Sequence, residues 1–263
     1  MTVGYRIASG TDLDAVFATR VSAAAAATGF RDSVGTDISN RYEPRGSTTA
    51  RANTGYRNSV GTDLAQIFKD INAVFTPITN TYNGPLTSQT ETVPAGATSV
   101  TIKLWGAGGG GGLFTGPPGG GGGGGGYAER TLAVTGGQTF TYSLGGGGNG
   151  LQGPGNGTGA GGGNSNVISA SPSFTQACNG AGPGTQSTGG AGGTVSNIGG
   201  AVSTTGGNGS SSVAGGSSPN GGANQGTAGA AGNAPGGGGA GQINSGSNKA
   251  GNGAPARVQF IYT

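Results

Sequence analysis

The sequence contains no histidine, one cysteine (Cys178), one methionine and one tryptophan. Without histidine, a Ser-His-Asp triad, a Cys-His dyad and a His-bound zinc site are excluded. A single cysteine forms no internal disulfide and no Cys-rich metal site. Charge is also scarce: Lys, Arg, Asp and Glu together make up 8% of 263 residues, for a net charge of +3, against about 25% in average proteins. Residues 1–86 hold eight cations and seven anions, and the remaining 177 residues hold only Glu91, Lys103, Glu129, Arg130, Lys249 and Arg257. No basic face can be assembled from so few cations, so nucleic acid is not an expected partner. No apolar run is long enough to span a bilayer. Arg6, Asp12 and Asp14 stand where a signal peptide has its apolar core, so synthesis in a cytosol is expected, with exit by lysis or as part of a particle.

What the chain has in excess is glycine, 65 residues of 263. Eight lie in residues 1–86 and 57 beyond, and the division falls near Asn83-Gly84-Pro85, a turn and linker signature. The first region, 1–86, is repetitive. A pattern G-[YF]-R-x-[AS]-x-G-T-D-[LI]-x-x-x-[FY] starts at Gly4, Gly29 and Gly55, without gaps. Each copy reads as a short extended segment, a Gly-Thr-Asp turn and a brief helix. Thr or Asp is its N-cap, and pairs such as Leu13 and Phe17 share one face. Asp12, Asp37 and Asp63 are read as caps rather than metal ligands. Leu64, Ile67, Phe68, Ile71, Val74 and Phe75 form the stripe of an amphipathic helix over 63–75. Units this small need neighbours, in the same chain or around an oligomer axis.

The second region, 87–263, begins and ends with alternating segments. Period two predicts strands over 98–105, 138–144 and 257–262, and a weaker one over 127–134. Gly136-Gly137 reads as a hairpin link between the last of these and 138–144, and Pro94-Ala95-Gly96 as a turn. Between the strands, positions 106–253 hold 56 glycines. They do not follow the collagen period, carry no aspartate for calcium β-roll repeats, and contain no Gly-Lys-Ser/Thr phosphate loop. Two alternatives remain, disorder or extended three-residue-per-turn glycine helices bonded side by side. Ordering costs about 1–2 kcal/mol per residue, and each lateral bond returns about 0.5–1.5 kcal/mol net. Order is therefore favoured only because the strands clamp 145–255 at both ends. The expected fold class is mostly β and glycine-rich, a small β-framework clamping glycine loops or polyglycine-II-like helices, preceded by strand-turn-helix repeats and one amphipathic helix.

The stretches VPAGATSVTIKLWGAGGGGG (93–112), GGYAERTLAVTGGQTFTYSLGGGG (125–148) and GAPARVQFIY (253–262) resemble the glycine-rich domain at the ends of bacteriophage tail fibres and related virion proteins. The exit Gly253-Ala254-Pro255-Ala256 departs slightly from the usual Gly-Ala-x-Gly. The resemblance implies a β-framework with glycine-rich loops, a role in host recognition or fibre-tip structure, and no catalytic residues or cofactor. It also implies attachment to other virion proteins through residues 1–86, a host-surface glycan or outer-membrane protein as partner, a homotrimer, and location in the virion. The residues themselves agree with a binding rather than an enzymatic role, since nothing shows Glu91 and Glu129 to be paired. Apolar islands interrupt the tracts, among them Leu113-Phe114, Leu151, Val167-Ile168 and Phe174. Packing is one reading of them; receptor contact by Phe114, Phe174, Leu113 and Leu151 is the other. A host-surface adhesin and a purely structural virion part (head fibre, decoration or connector) both stay open. A soluble glycine-helix ice binder would leave the repeats unexplained.

Overall fold

The computed structural model describes residues 75–196, 202–243 and 248–263. The three repeats and positions 63–74 of the expected helix lie outside the described residues.

Twelve strands are formed: β1 (Ile78–Asn83), β2 (Leu86–Thr92), β3 (Ser99–Trp105), β4 (Leu113–Phe114), β5 (Tyr127–Ala133), β6 (Thr139–Leu144), β7 (Ser165–Ser169), β8 (Phe174–Cys178), β9 (Val195–Ser196), β10 (Val202–Thr204), β11 (Gln242–Ile243) and β12 (Arg257–Tyr262). The described part is all β, with no helix. One antiparallel sheet runs β1-β12-β3-β5-β10, a second β2-β6-β7-β8-β9, and β4 pairs with β11 in parallel. The four strands expected from period two are β3, β5, β6 and β12. Their alternation puts Val100, Ile102, Leu104, Val258, Phe260 and Tyr262 of the first sheet against Phe140, Tyr142, Leu144, Val167 and Phe174 of the second. The Phe260 ring lies 5.7 Å from both Phe140 and Tyr142, which locks the sheets face to face. Each large side chain buried this way contributes about 1.5–3 kcal/mol.

Two connections differ from the sequence reading. Gly136-Gly137 does not close a hairpin, because β5 and β6 belong to different sheets. It forms a tight turn, with Gln138 N–H donating to Thr135 C=O at 3.2 Å and Gly137 at φ +86°. That is the left-handed position a type II turn requires. Gly84-Pro85 likewise is a corner rather than a linker: it carries the chain from β1 in the first sheet to β2 in the second. Residues 78–86, assigned above to the attachment region, are therefore part of the β-framework, and Phe75 packs against its core.

Glycine tracts leave the strands and return to them. Tract 106–112 continues β3, turns at 113–118, and comes back as 119–126 into β5. Both tracts are buried along their whole length. Their hydrogen bonds rotate with period three. Gly122 N–H donates to Gly239 at 2.8 Å, Gly123 to Gly182 at 3.0 Å and Gly124 to Gly207 at 2.9 Å. The cycle then repeats on the same three neighbours, with Gly125 donating to Gly236 and Gly126 to Asn179. Carbonyls of the same tract accept from three further segments, for example Gly123 from Gly109, Gly124 from Gly193 and Gly122 from Gly216. Such rotation is what an extended chain with three residues per turn presents. Tract 106–112 is surrounded in the same manner, its amides bonding to 119–126, 157–163 and 251–254. These are the two purest glycine runs because neighbours occupy every side. Outer tracts carry Thr158, Ala160 and Asn208 on their exposed positions. The tracts are thus laid side by side and joined by lateral backbone hydrogen bonds.

Candidate functional site

Because each tract leaves the sheets and returns, the turns between tracts gather at the far end. The backbone fixes the level of the loops. Leu113 exchanges both backbone bonds with Gly157, Leu151 N–H donates to Gly111, Gly120 N–H to Thr185, and Gly121 N–H to Ser210. At this tip β4 and β11 pair Leu113 with Gln242 and Phe114 with Ile243. Leu113 is buried, Phe114 and Leu151 are half-buried, and Ile243 is 43% exposed. Leu151 leans on Gly157, the backbone partner of Leu113. Three of the four residues singled out in the sequence thus come together, joined by Ile243, which the sequence reading missed. Its signal was available: Gln242-Ile243 is another apolar interruption of a glycine tract. Asn156 Nδ2 donates to Thr115 Oγ1 at 2.6 Å and ties two of the loops.

The fourth residue, Phe174, is elsewhere. It is 3% exposed in the core, edge-on to Phe140 at 6.1 Å and capped by the Arg130 guanidinium at 5.4 Å. It offers no surface to a receptor and is a packing residue. Fully buried Leu113 likewise supports the tip from beneath rather than touching a ligand.

A sequence profile of the glycine-rich domain family matches residues 83–263. The chain belongs to that family. No curated protein matches the chain. The profile starts at the last residue of β1 and takes in the other eleven strands and every tract, so the glycine-rich domain contains the tip and nearly all of the frame.

A second feature of the glycine-rich domain lies on the outward face of the first sheet. The register aligns Arg257, Trp105 and Tyr127 in one row across β12, β3 and β5, and Gln259, Lys103 and Glu129 in the next. Asn220, from the loop returning to the sheets, borders an open cavity of about 400 Å³ beside them. Trp105 Nε1 donates to Pro219 C=O at 2.9 Å, and its ring is 5.0 Å from that of Tyr127. Lys103 and Glu129 lie 3.9 Å apart. The Tyr127 hydroxyl donates to the Glu129 carboxylate. Burial first, and then that bond, raises the Tyr127 pKa well above its ordinary value. Arg257 Nε donates to Asn83 Oδ1 at 2.7 Å.

The other acid, Glu91, is 4% exposed and sits between the sheets. It accepts from Asn80 at 2.8 Å, Tyr82 at 2.8 Å and Tyr262 at 3.0 Å. Glu91 staples β2 to β1 and β12, and Glu129 is on the other sheet, so the two acids do not meet. Among the described residues no group of three or more His, Cys, Asp or Glu comes together to hold a metal. Cys178 is buried and donates to Leu104 C=O at 3.2 Å. Burial pushes its thiol up to about 12.

Proposed function

We propose that the glycine-rich domain is the host-surface recognition part of a virion fibre, attached to the particle through the residues that precede it. The observation that carries this reading is the gathering of Phe114, Leu151 and Ile243 at the tip, where loops whose one charge among the described residues is Lys249 are presented on a stiff stem. The stem is read as a bundle of polyglycine-II-like helices, after the period-three bonding of its central tracts. Such a tip binds by shape, apolar contact and backbone hydrogen bonds, and does not modify its partner, a surface glycan or outer-membrane protein. Each contact is weak. Three copies in a fibre and several fibres per particle multiply the avidity, which is the use a homotrimer would serve.

The test is adsorption of particles to host cells in the presence of purified protein. Wild-type protein should compete, and the double variant Phe114→Ser with Ile243→Ser should compete far less while keeping its melting temperature. If wild-type protein never competes and particles lacking it adsorb normally, a purely structural virion role replaces this reading.

A further inference from the structure

We propose that the cavity on the outward face of the first sheet is a second binding site, separate from the tip, for a carboxylated saccharide of the uronate type. Three of the six charges found after residue 86 meet in this one cavity, on three different strands. Lys103 and Arg257 against Glu129 leave a single positive charge. The only acidic side chains among the described residues are Glu91, held between the sheets by Asn80, Tyr82 and Tyr262, and Glu129, paired within the cavity with Lys103 and Tyr127. Arg257 therefore has no carboxylate partner among them. Its Nε bond to Asn83 holds the guanidinium in place, and a planar fork so held suits a bidentate carboxylate.

The rest of the lining selects for a sugar. Gln259 Nε2 donates to Thr81 Oγ1 at 3.3 Å and the Asn220 side chain bonds Tyr127, which orients both amides and leaves their carbonyl oxygens as acceptors for hydroxyls. The Glu129 carboxylate accepts from hydroxyls and repels a dianion such as phosphate. Trp105 and Tyr127 lie beneath these groups, 4% and 1% exposed, so a ligand meets mainly polar atoms. Asn220 is held at φ +49°, in a turn closed by Gly221 N–H donating to Ser218 C=O at 3.1 Å. That turn is fixed to the sheet by the Trp105 bond to Pro219, so the side of the cavity is in place before a ligand arrives. A volume of about 400 Å³ is within the ordinary range of small-molecule sites.

Trp105 is the sole tryptophan of the chain, so its fluorescence reports on this cavity alone. Full-length protein is titrated with glucuronate, glucose and acetate, with calorimetry in parallel. Glucuronate should change the emission saturably and bind more weakly as salt rises. Glucose and acetate should bind at least about tenfold more weakly, since each satisfies only half of the lining. Arg257→Gln should weaken glucuronate by about tenfold or more. Lys103→Gln provides the same test if the first variant fails to fold. Glucuronate binding that is absent by both methods, equalled by glucose or acetate, or unchanged in a folded Arg257→Gln or Lys103→Gln variant overturns the proposal.

Discussion

A methyl group on Gly122 would have to occupy the space of the Gly109 carbonyl oxygen, which belongs to a neighbouring tract held on its other sides as well. Neither backbone has room to yield. Gly122→Ala should therefore cost about 3 kcal/mol or more, the upper end for overpacking. Gly161 provides the contrast, since an added Cβ would find its nearest atom, the Ala181 carbonyl oxygen, at 3.5 Å. There alanine only restricts the unfolded chain, and Gly161→Ala should stabilise by about 0.4–1 kcal/mol. Thermal melts of the two variants check both signs; equal shifts would mean that glycine is required for something other than close approach. Gln176 makes a different residue-scale case. Its side chain is fully buried on β8, and neither Oε1 nor Nε2 has a hydrogen-bond partner. A buried amide left unpaired costs about 1–3 kcal/mol, so Gln176→Met, of similar length, should raise the melting temperature. A lowered one would show that the amide is bonded.

Among the elements, β1, β2 and β12 depend on one carboxylate. Glu91 accepts three hydrogen bonds across the gap between sheets, and Glu91→Ala leaves their donors unpaired, a loss of about 3 kcal/mol. The same staple sets an alkaline limit. Burial, and after it the Glu91 bond, raises Tyr82 to about 12, and burial beside the Glu91 charge pushes Tyr262 higher still. The folded state thus favours the neutral phenols. Their contribution is complete below the ordinary tyrosine value near pH 10 and is lost as pH climbs from there through about 12. Melting temperature should fall over that window, and Tyr82→Phe should flatten the fall; an unchanged profile would remove the linkage. Legibility also differed by element. β3, β5, β6 and β12 were readable because large apolar residues alternate with Thr, Lys or Gln. β7 and β8 were not, because Ser-Asn-Val-Ile-Ser and Phe-Thr-Gln-Ala-Cys are short, mixed and set among glycines. The same blindness made Phe174 look like an isolated island, when its period-two partners Gln176 and Cys178 mark an inward strand face. Phe114 and Leu151 were visible as interruptions of glycine tracts. The cavity lined by Lys103, Trp105, Glu129 and Arg257 was not, since it exists only once three strands distant in sequence adopt their register.

At the scale of the whole glycine-rich domain, stem and frame are not separable parts. The tracts leave the strands at one end of the frame and come back to it, and the lateral bonds join positions as distant in sequence as Gly108 and Ala254, or Ala107 and Gly163. A tract cannot be ordered alone, because each net bond of about 0.5–1.5 kcal/mol does not offset the ordering of a glycine at about 1–2 kcal/mol. Its order is borrowed from strands whose side chains are already buried, and the strands in turn are held at the spacing that the tracts fill. Opening one central tract would expose the carbonyls and amides of all the segments around it. The bundle should therefore open only with the sheets, as one cooperative unit. Hydrogen exchange measures this directly. Amides of Gly106–Gly112 and Gly119–Gly126 should be protected as strongly as those of β3 and β12, although no large side chain covers them. Modification of Cys178, buried beneath Leu104, should proceed at that same global opening rate. Central glycines that exchange within seconds while Cys178 stays unreactive would mean that the stem melts independently of its frame, and a recognition tip could not then be held in place by it.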